Sequence, residues 1–146
     1  IFFYPKCKDA YYAFTNWAPY PVKYNGKTYP TSEHLFQAFK YLDFRPDIAE
    51  KIRTVSKSFG AAYDLSMTQL AHQHPDWEIL KIPKMEIVLY HKFSQHENLK
   101  QLLLGTGDAE IIVSRIYFWG FGEKGKGRNE AGKILERLRK TFRHAH

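Results

Sequence analysis

The sequence predicts a mainly helical α+β fold in a single domain spanning residues 1–146, and three observations carry that expectation. Apolar residues recur at helical spacing over most of the chain after residue 31. The β signals are short and lie in residues 1–4, 21–29 and 111–119. No repeat, linker or low-complexity stretch interrupts the chain. A chain of this length buries about two thirds of its unfolded surface without covalent staples.

Residues 1–4 read as a short strand. Residues 21–29 read as a hairpin, because Asn25-Gly26 is the dipeptide that a two-residue turn with left-handed backbone selects. Thr31 or Ser32 caps a helix running to about Leu42, and Pro46 suits the first turn of a second helix over residues 47–53. Residues 58–66 and 67–72 read as short helical pieces, followed by a Pro75-Asp76-Trp77 turn. Residues 84–93 set Met85, Val88, Leu89 and Phe93 on one face, and residues 97–104 do so with Leu99, Leu102 and Leu103, with Gly105 as the natural C′ terminator. Brief strands follow at 111–113 and 117–119, then a glycine-rich loop. Asn129 is the expected N-cap of a last helix whose Ala131, Ile134, Leu135, Leu138 and Phe142 form its apolar stripe.

A formal charge of +7 attracts anions such as nucleic acid, nucleotides or phosphorylated metabolites. Lys133, Arg137, Arg139, Lys140 and Arg143 hold much of that excess on the last helix, where cations also complement the dipole. Ten Tyr, eleven Phe and three Trp supply faces for base stacking or for the core. The lone Cys7 has no intrachain partner, which suits a reducing intracellular compartment, cytoplasmic or nuclear. No apolar run reaches membrane-span length, so no membrane partner is expected. The absence of an initiator Met suggests a trimmed or excised domain.

The helix beginning at Ser32 carries the chemistry-bearing pattern. Glu33, Gln37 and Lys40 fall at i, i+4 and i+7, within about 60° of one another around the axis. Leu35, Phe36, Phe39 and Leu42 make the remaining circumference apolar, so this helix is expected to sit deep with its polar stripe lining a cavity. The alternative is a solvated face with a loose Glu–Lys contact.

Gly120-Phe121-Gly122-Glu123-Lys124-Gly125 matches the dinucleotide-binding pattern, but no βαβ unit follows and the chain ends after one helix. Residues 120–129 instead offer backbone N–H groups, Arg128 and Asn129 as a diphosphate cradle, or form a flexible basic loop. His72, His74, His91 and His96 lack ligand spacing with a third partner, so neither a metal nor another cofactor is expected. Cys7 has no base in sequence reach. Trp17, Trp77 and Trp119 sit at loops or element edges, as pocket walls or as loop anchors.

These segments together resemble the NADAR family, also called YbiA-like, over nearly the whole chain. The residues that carry the resemblance are Phe14-Thr15-Asn16-Trp17-Ala18-Pro19, Tyr29-Pro30-Thr31-Ser32-Glu33-His34 with Gln37-Ala38 and Lys40, and Asp76-Trp77 with Met85 and Lys92-Phe93. Thr106-Gly107, Phe118-Trp119-Gly120 and Gly127-Arg128-Asn129 with Gly132-Lys133 follow in the family's order. Ile116, in a shortened segment, stands where the family usually carries an Asp.

The resemblance implies a hydrolase of N-glycosidic bonds that removes ADP-ribose from ADP-ribosylated guanine, in a nucleotide or a nucleic acid. Phosphoribosyl intermediates of riboflavin synthesis are the alternative substrates, and a non-catalytic ADP-ribose or nucleotide reader is the alternative class. Glu33 is then the carboxylate beside the anomeric carbon and Lys40 the amine of a Schiff-base route. Gln37 holds a ribose hydroxyl. Phe14, Asn16, Trp17, Trp77, Trp119 and Gly120 line the substrate site, and Arg128 and Asn129 take phosphate. The oligomeric state is not readable from the sequence.

Overall fold

The computed structural model describes residues 2–3, 11–58, 60–113 and 128–144. By contacts the chain forms two compact units, one of residues 16–95 and one of residues 1–15 with 96–146. The expected strand at 117–119, the glycine-rich loop, Cys7 and Ile116 lie outside the described residues. The architecture is the expected mainly helical α+β type.

In residues 16–95, strands β2 (Val22–Tyr24) and β3 (Lys27–Tyr29) pair antiparallel, Val22 opposite Tyr29 and Tyr24 opposite Lys27. Asn25 and Gly26 take φ of 53° and 81°, the left-handed pair that matches the strand twist. Gln95 closes one edge of this hairpin. Its amide accepts from the Lys23 N–H and donates to the Lys23 carbonyl, each at 2.7 Å.

Helix α1 (Ser32–Phe39) is buried on every side. It packs on α2 (Pro46–Thr54), α3 (Ala61–Met67), α4 (Trp77–Gln95) and β3. Regular helix stops at Phe39, short of the expected Leu42. From Lys40 the N–H groups reach back three residues, Lys40 to Gln37 and Tyr41 to Ala38. Tyr41 is fully buried and donates to the Ser66 carbonyl at 2.6 Å, which holds the tightened turn. Pro46 opens α2 as expected. The pieces expected over 58–72 form as α3 and a one-turn 3-10 helix, Leu70–His72.

Helix α4 starts seven residues before the expected 84 and carries Pro83 inside it. Local rules end a helix at such a proline, because its ring removes one N–H donor. Here Trp77, buried against Phe36, anchors the first turn, and Pro83 stands on the exposed face. Met85, Val88, Leu89 and Phe93 are buried as their spacing predicts.

In the other unit, β1 (Phe2–Phe3) pairs parallel with β4 (Ile112–Val113), and α5 (Glu97–Leu104) packs on α6 (Glu130–Arg143). Gly105 is right-handed, and the left-handed residue is Gly107 at φ 63°. The helix ends at Leu104, as expected. Asn129 does occupy the N-cap position of α6, but its backbone is left-handed, with φ of 53°, and its side chain forms no capping bond. It donates instead to the Ile111 carbonyl at 2.8 Å. The basic face of α6 is not wholly solvated either. Arg139 is buried, donating to Thr106 Oγ1 at 2.8 Å and to the Ala109 carbonyl at 2.7 Å, while Arg143 reaches the Gly107 carbonyl at 2.6 Å.

Gly132 allows α6 to lie against this segment. A Cβ there would come 2.1 Å from the Ile111 carbonyl oxygen and 2.4 Å from the Asn129 amide, where no atom fits. Gly132→Ala is therefore expected to destabilise the fold by about 3 kcal/mol or more, since backbone has to move. Chemical denaturation checks this, and an unchanged midpoint would contradict it.

Candidate functional site

Thr31 sets the frame of the site. Its extended backbone (φ −145°, ψ 167°) and its Oγ1, which accepts the His34 N–H at 3.2 Å, start α1 one residue before Glu33. The Glu33 N–H, unused by the helix, donates to the Asn16 carbonyl at 3.0 Å. That bond ties the Asn16-Trp17 loop to the first turn.

Glu33, Gln37 and Lys40 are all buried, so the stripe is enclosed rather than wet. Gln37 Nε2 donates to Glu33 Oε1 at 2.6 Å. Burial pushes the Glu33 carboxyl pKa up, opposed in turn by the Gln37 hydrogen bond, the Lys40 charge and the Asn16 side chain. Burial pushes the Lys40 amine down, opposed by Glu33 and then Glu78. An acid drawn up and an amine drawn down approach each other in proton affinity, which suits a pair that exchanges a proton during a reaction.

Trp77 roofs the amine. Its ring centroid lies 5.9 Å from Lys40 Nζ and 5.3 Å from the Phe36 ring. The Phe39 ring lies 4.8 Å from the Lys84 ammonium. Asn16 Nδ2 reaches Met85 Sδ at 3.4 Å. Two buried polar atoms, Gln37 Oε1 and Ser32 Oγ, have no hydrogen-bond partner among the described residues. The first belongs to the stripe and is a ready acceptor.

A shallow, solvent-open cleft lies at Glu33. Trp17, Thr31, His34, Lys57 and Ser58 line it with Glu33. His34 is buried, its Nε2 donating to the Ser56 carbonyl at 3.1 Å. The ring is then neutral with Nδ1 accepting the Thr31 hydroxyl at 2.8 Å, in keeping with a pKa that burial lowers.

The structure thus brings Glu33, Gln37, Lys40, Asn16, Trp17 and Trp77 into one unit. Phe14, Arg128 and Asn129 belong to the other. There Phe14 is buried against Tyr11, with centroids 5.3 Å apart, and Arg128 pairs with Glu130 at 2.9 Å. Trp119 and Gly120 lie outside the described residues. Among the described residues no group of three or more His, Cys, Asp or Glu side chains could hold a metal ion, and no helix is long and apolar enough to cross a membrane.

The NADAR domain family model matches residues 2–143. The chain belongs to the NADAR family. It is 40% identical over 136 residues to the N-glycosidase YbiA of Escherichia coli, covering 92% of this chain and 83% of that protein. It is 34% identical to a riboflavin biosynthesis protein of Vibrio vulnificus, covering 97% of this chain and 38% of that one. The NMR structure of the Escherichia coli protein YbiA matches at a TM-score of 0.87 and 36% identity, over 100% of this chain and 90% of that chain. This NADAR chain therefore shares that fold.

Sequence reasoning passed over three residues: His34, Lys57 and Lys92. Lys92 is wholly buried, and desolvation brings its amine from 10.5 down to about 7. Its signal was in the spacing, since it continues the buried stripe of α4 three residues after Leu89 and four after Val88. Lys57 is joined to the site by chain folding across more than twenty residues, through the bond from His34, the neighbour of Glu33, to the Ser56 carbonyl, which no local pattern reports.

Two outcomes follow from these charges. Glu33→Gln removes the negative charge that most raises Lys40, so the Lys40 pKa is expected to fall further; side-chain NMR titration reads it, and an unchanged or higher value would contradict the coupling. Lys92 binds its proton more weakly folded than unfolded, so its contribution to stability is full above about 10.5 and is lost as pH falls to about 7. Between those values wild-type stability is expected to rise with pH relative to Lys92→Met, by up to about 1.4 kcal/mol per pH unit. Parallel denaturation curves at pH 7, 8 and 9 test this.

Proposed function

We propose that this chain hydrolyses the N-glycosidic bond between an amine and the anomeric carbon of a phosphorylated ribose, and that its substrate is ADP-ribose attached to guanine in a nucleotide or nucleic acid. The observation that carries this is the enclosed stripe of Glu33, Gln37 and Lys40 beneath Trp77. The printed activity of YbiA supports the reaction class. The formal charge of +7 supports an anionic substrate. A second substrate, a phosphoribosyl intermediate of riboflavin synthesis, is supported by the likeness to the Vibrio vulnificus protein.

In the proposed reaction the proton shared by the Glu33–Lys40 pair passes from Glu33 to the ring oxygen as the sugar opens to an iminium between the anomeric carbon and the substrate nitrogen, leaving the Lys40 amine neutral. The neutral Lys40 amine adds to that carbon. A Lys40 proton passes through Glu33 to the substrate nitrogen, the carbon–nitrogen bond breaks, and the free base leaves a Schiff base on Lys40. Water, deprotonated by Glu33, adds to the Schiff base. The anomeric carbon departs as an aldehyde, which recloses, and Lys40 is released. Gln37 Oε1 accepts from a ribose hydroxyl, and Trp17 and Trp77 wall the substrate.

Borohydride added during turnover is expected to reduce the Schiff base and leave a ribosyl adduct on Lys40, located by peptide mass spectrometry. Lys40→Arg keeps the charge but is expected to abolish both adduct and turnover, and Glu33→Gln to slow turnover by roughly 10²- to 10⁴-fold. An active Lys40→Ala variant without an adduct would eliminate the covalent route. The substrate is decided by incubation with an ADP-ribosylated guanosine oligonucleotide and, separately, with the aminopyrimidine riboflavin intermediates. Release only from the latter would favour the second substrate, and tight ADP-ribose binding with no release from either would favour a reader.

A further inference from the structure

We propose that the cleft between the first turn of α1 and the Lys57-Ser58 segment is the seat of the 5′-phosphoryl group of the ribose whose anomeric bond is cut. This rests on the N-glycosidase proposal above and assigns a subsite within it. The cleft is shallow and open to solvent, and Glu33, at the reacting end of the stripe, lines it. A ribose placed with its anomeric carbon at Glu33 can direct its 5′ end along this open cleft toward Lys57 and Ser58.

The charges in the cleft select the ligand. Among the described residues Glu33 is the only carboxylate lining it, and burial pushes its pKa up. Burial lowers the pKa of His34, against the hydrogen bond to the Ser56 carbonyl, and so favours the neutral ring. Among the described lining residues Lys57 is the one lysine or arginine. It is exposed, makes no ion pair among the described residues, and its charge is felt at His34, whose pKa it lowers. That cation, in a cleft whose carboxyl has a raised pKa and with a hydroxyl beside it on Ser58, matches a phosphoryl group better than it matches a carbohydrate hydroxyl.

The segment is also built to hold that cation in place. His34 Nε2 grips the Ser56 carbonyl, Ser56 Oγ accepts the Ser58 N–H at 3.1 Å, and the two serine hydroxyls lie 2.8 Å apart. The backbone before Lys57 is thus tied to α1, and Ser58 after it is tied back to Ser56, while the Lys57 side chain is exposed. Trp17, half-buried, also lines the cleft and supplies an apolar surface for the sugar.

The test is a calorimetric titration of the wild type, Lys57→Ala and, as a charge control outside the cleft, Lys51→Ala, with ribose 5-phosphate, ADP-ribose and unphosphorylated ribose. Lys57→Ala is expected to weaken ribose 5-phosphate by roughly ten- to hundredfold, the range of a hydrogen bond to a charged group, and to leave ribose unaffected. A larger loss for ribose 5-phosphate than for ADP-ribose assigns the subsite to a monoester substrate, and an equal loss assigns it to a diphosphate. No loss in Lys57→Ala, an equal loss in Lys51→Ala, or no binding of ribose 5-phosphate by the wild type would overturn the assignment. Steady-state kinetics separates the two proposals. KM is expected to rise in Lys57→Ala with kcat unchanged; turnover with an unmoved KM removes the subsite and keeps the reaction. Lys57-dependent binding by a protein that cleaves neither substrate removes the reaction and keeps the subsite.

Discussion

The enclosure of α1 is the constraint on which residues 16–95 depend. A helix buried on all sides has to be surrounded, and α2, α3, α4 and β3 supply that surround. Glu33, Gln37 and Lys40 are thereby taken out of water with the apolar side chains, as are Ser32 and His34. Desolvating a carboxyl and an amine costs several kcal/mol per ion unless they pair or neutralise. The Gln37–Glu33 bond and the opposed pKa displacements of Glu33 and Lys40 are how that cost is met. Stability and reactivity are thus opposed at this helix: the burial that makes the pair expensive also tunes it.

Elements with local causes were legible in the chain. Asn25-Gly26 specified its turn, Thr31 its cap, and the spacing of Met85, Val88, Leu89 and Phe93 its buried face, because each depends on neighbours within a few residues. Departures occur where distant contacts override local preference. Pro83 breaks no helix because Trp77 is anchored on Phe36. Asn129 leaves its capping role because the Ile111 carbonyl, eighteen residues back, needs a donor. Arg139 looks like part of a solvated basic face until the 106–109 turn folds over it.

The candidate site divides the same way. Glu33, Gln37 and Lys40 share one helix, so a 3.6-residue period was enough to group them. Trp77 was conspicuous as a loop-edge tryptophan, but its place over Lys40 depends on where α4 begins, which Pro83 disguised. His34 carried no visible signal, since its two partners follow from a cap and from a loop that returns to α1. The chemistry of the stripe was therefore readable, and the setting that tunes it was not.

The Gln95 clamp on the β2–β3 hairpin carries a different consequence. A primary amide that both donates to and accepts from one residue imitates a neighbouring strand at a single register. It blocks that position on an edge otherwise open to pairing with another chain. The clamp spans 72 residues of sequence, so it closes only after α4 has come to lie beside the hairpin. Protection against intermolecular strand addition is then acquired late in folding, and the nascent hairpin passes through a period in which that edge is bare.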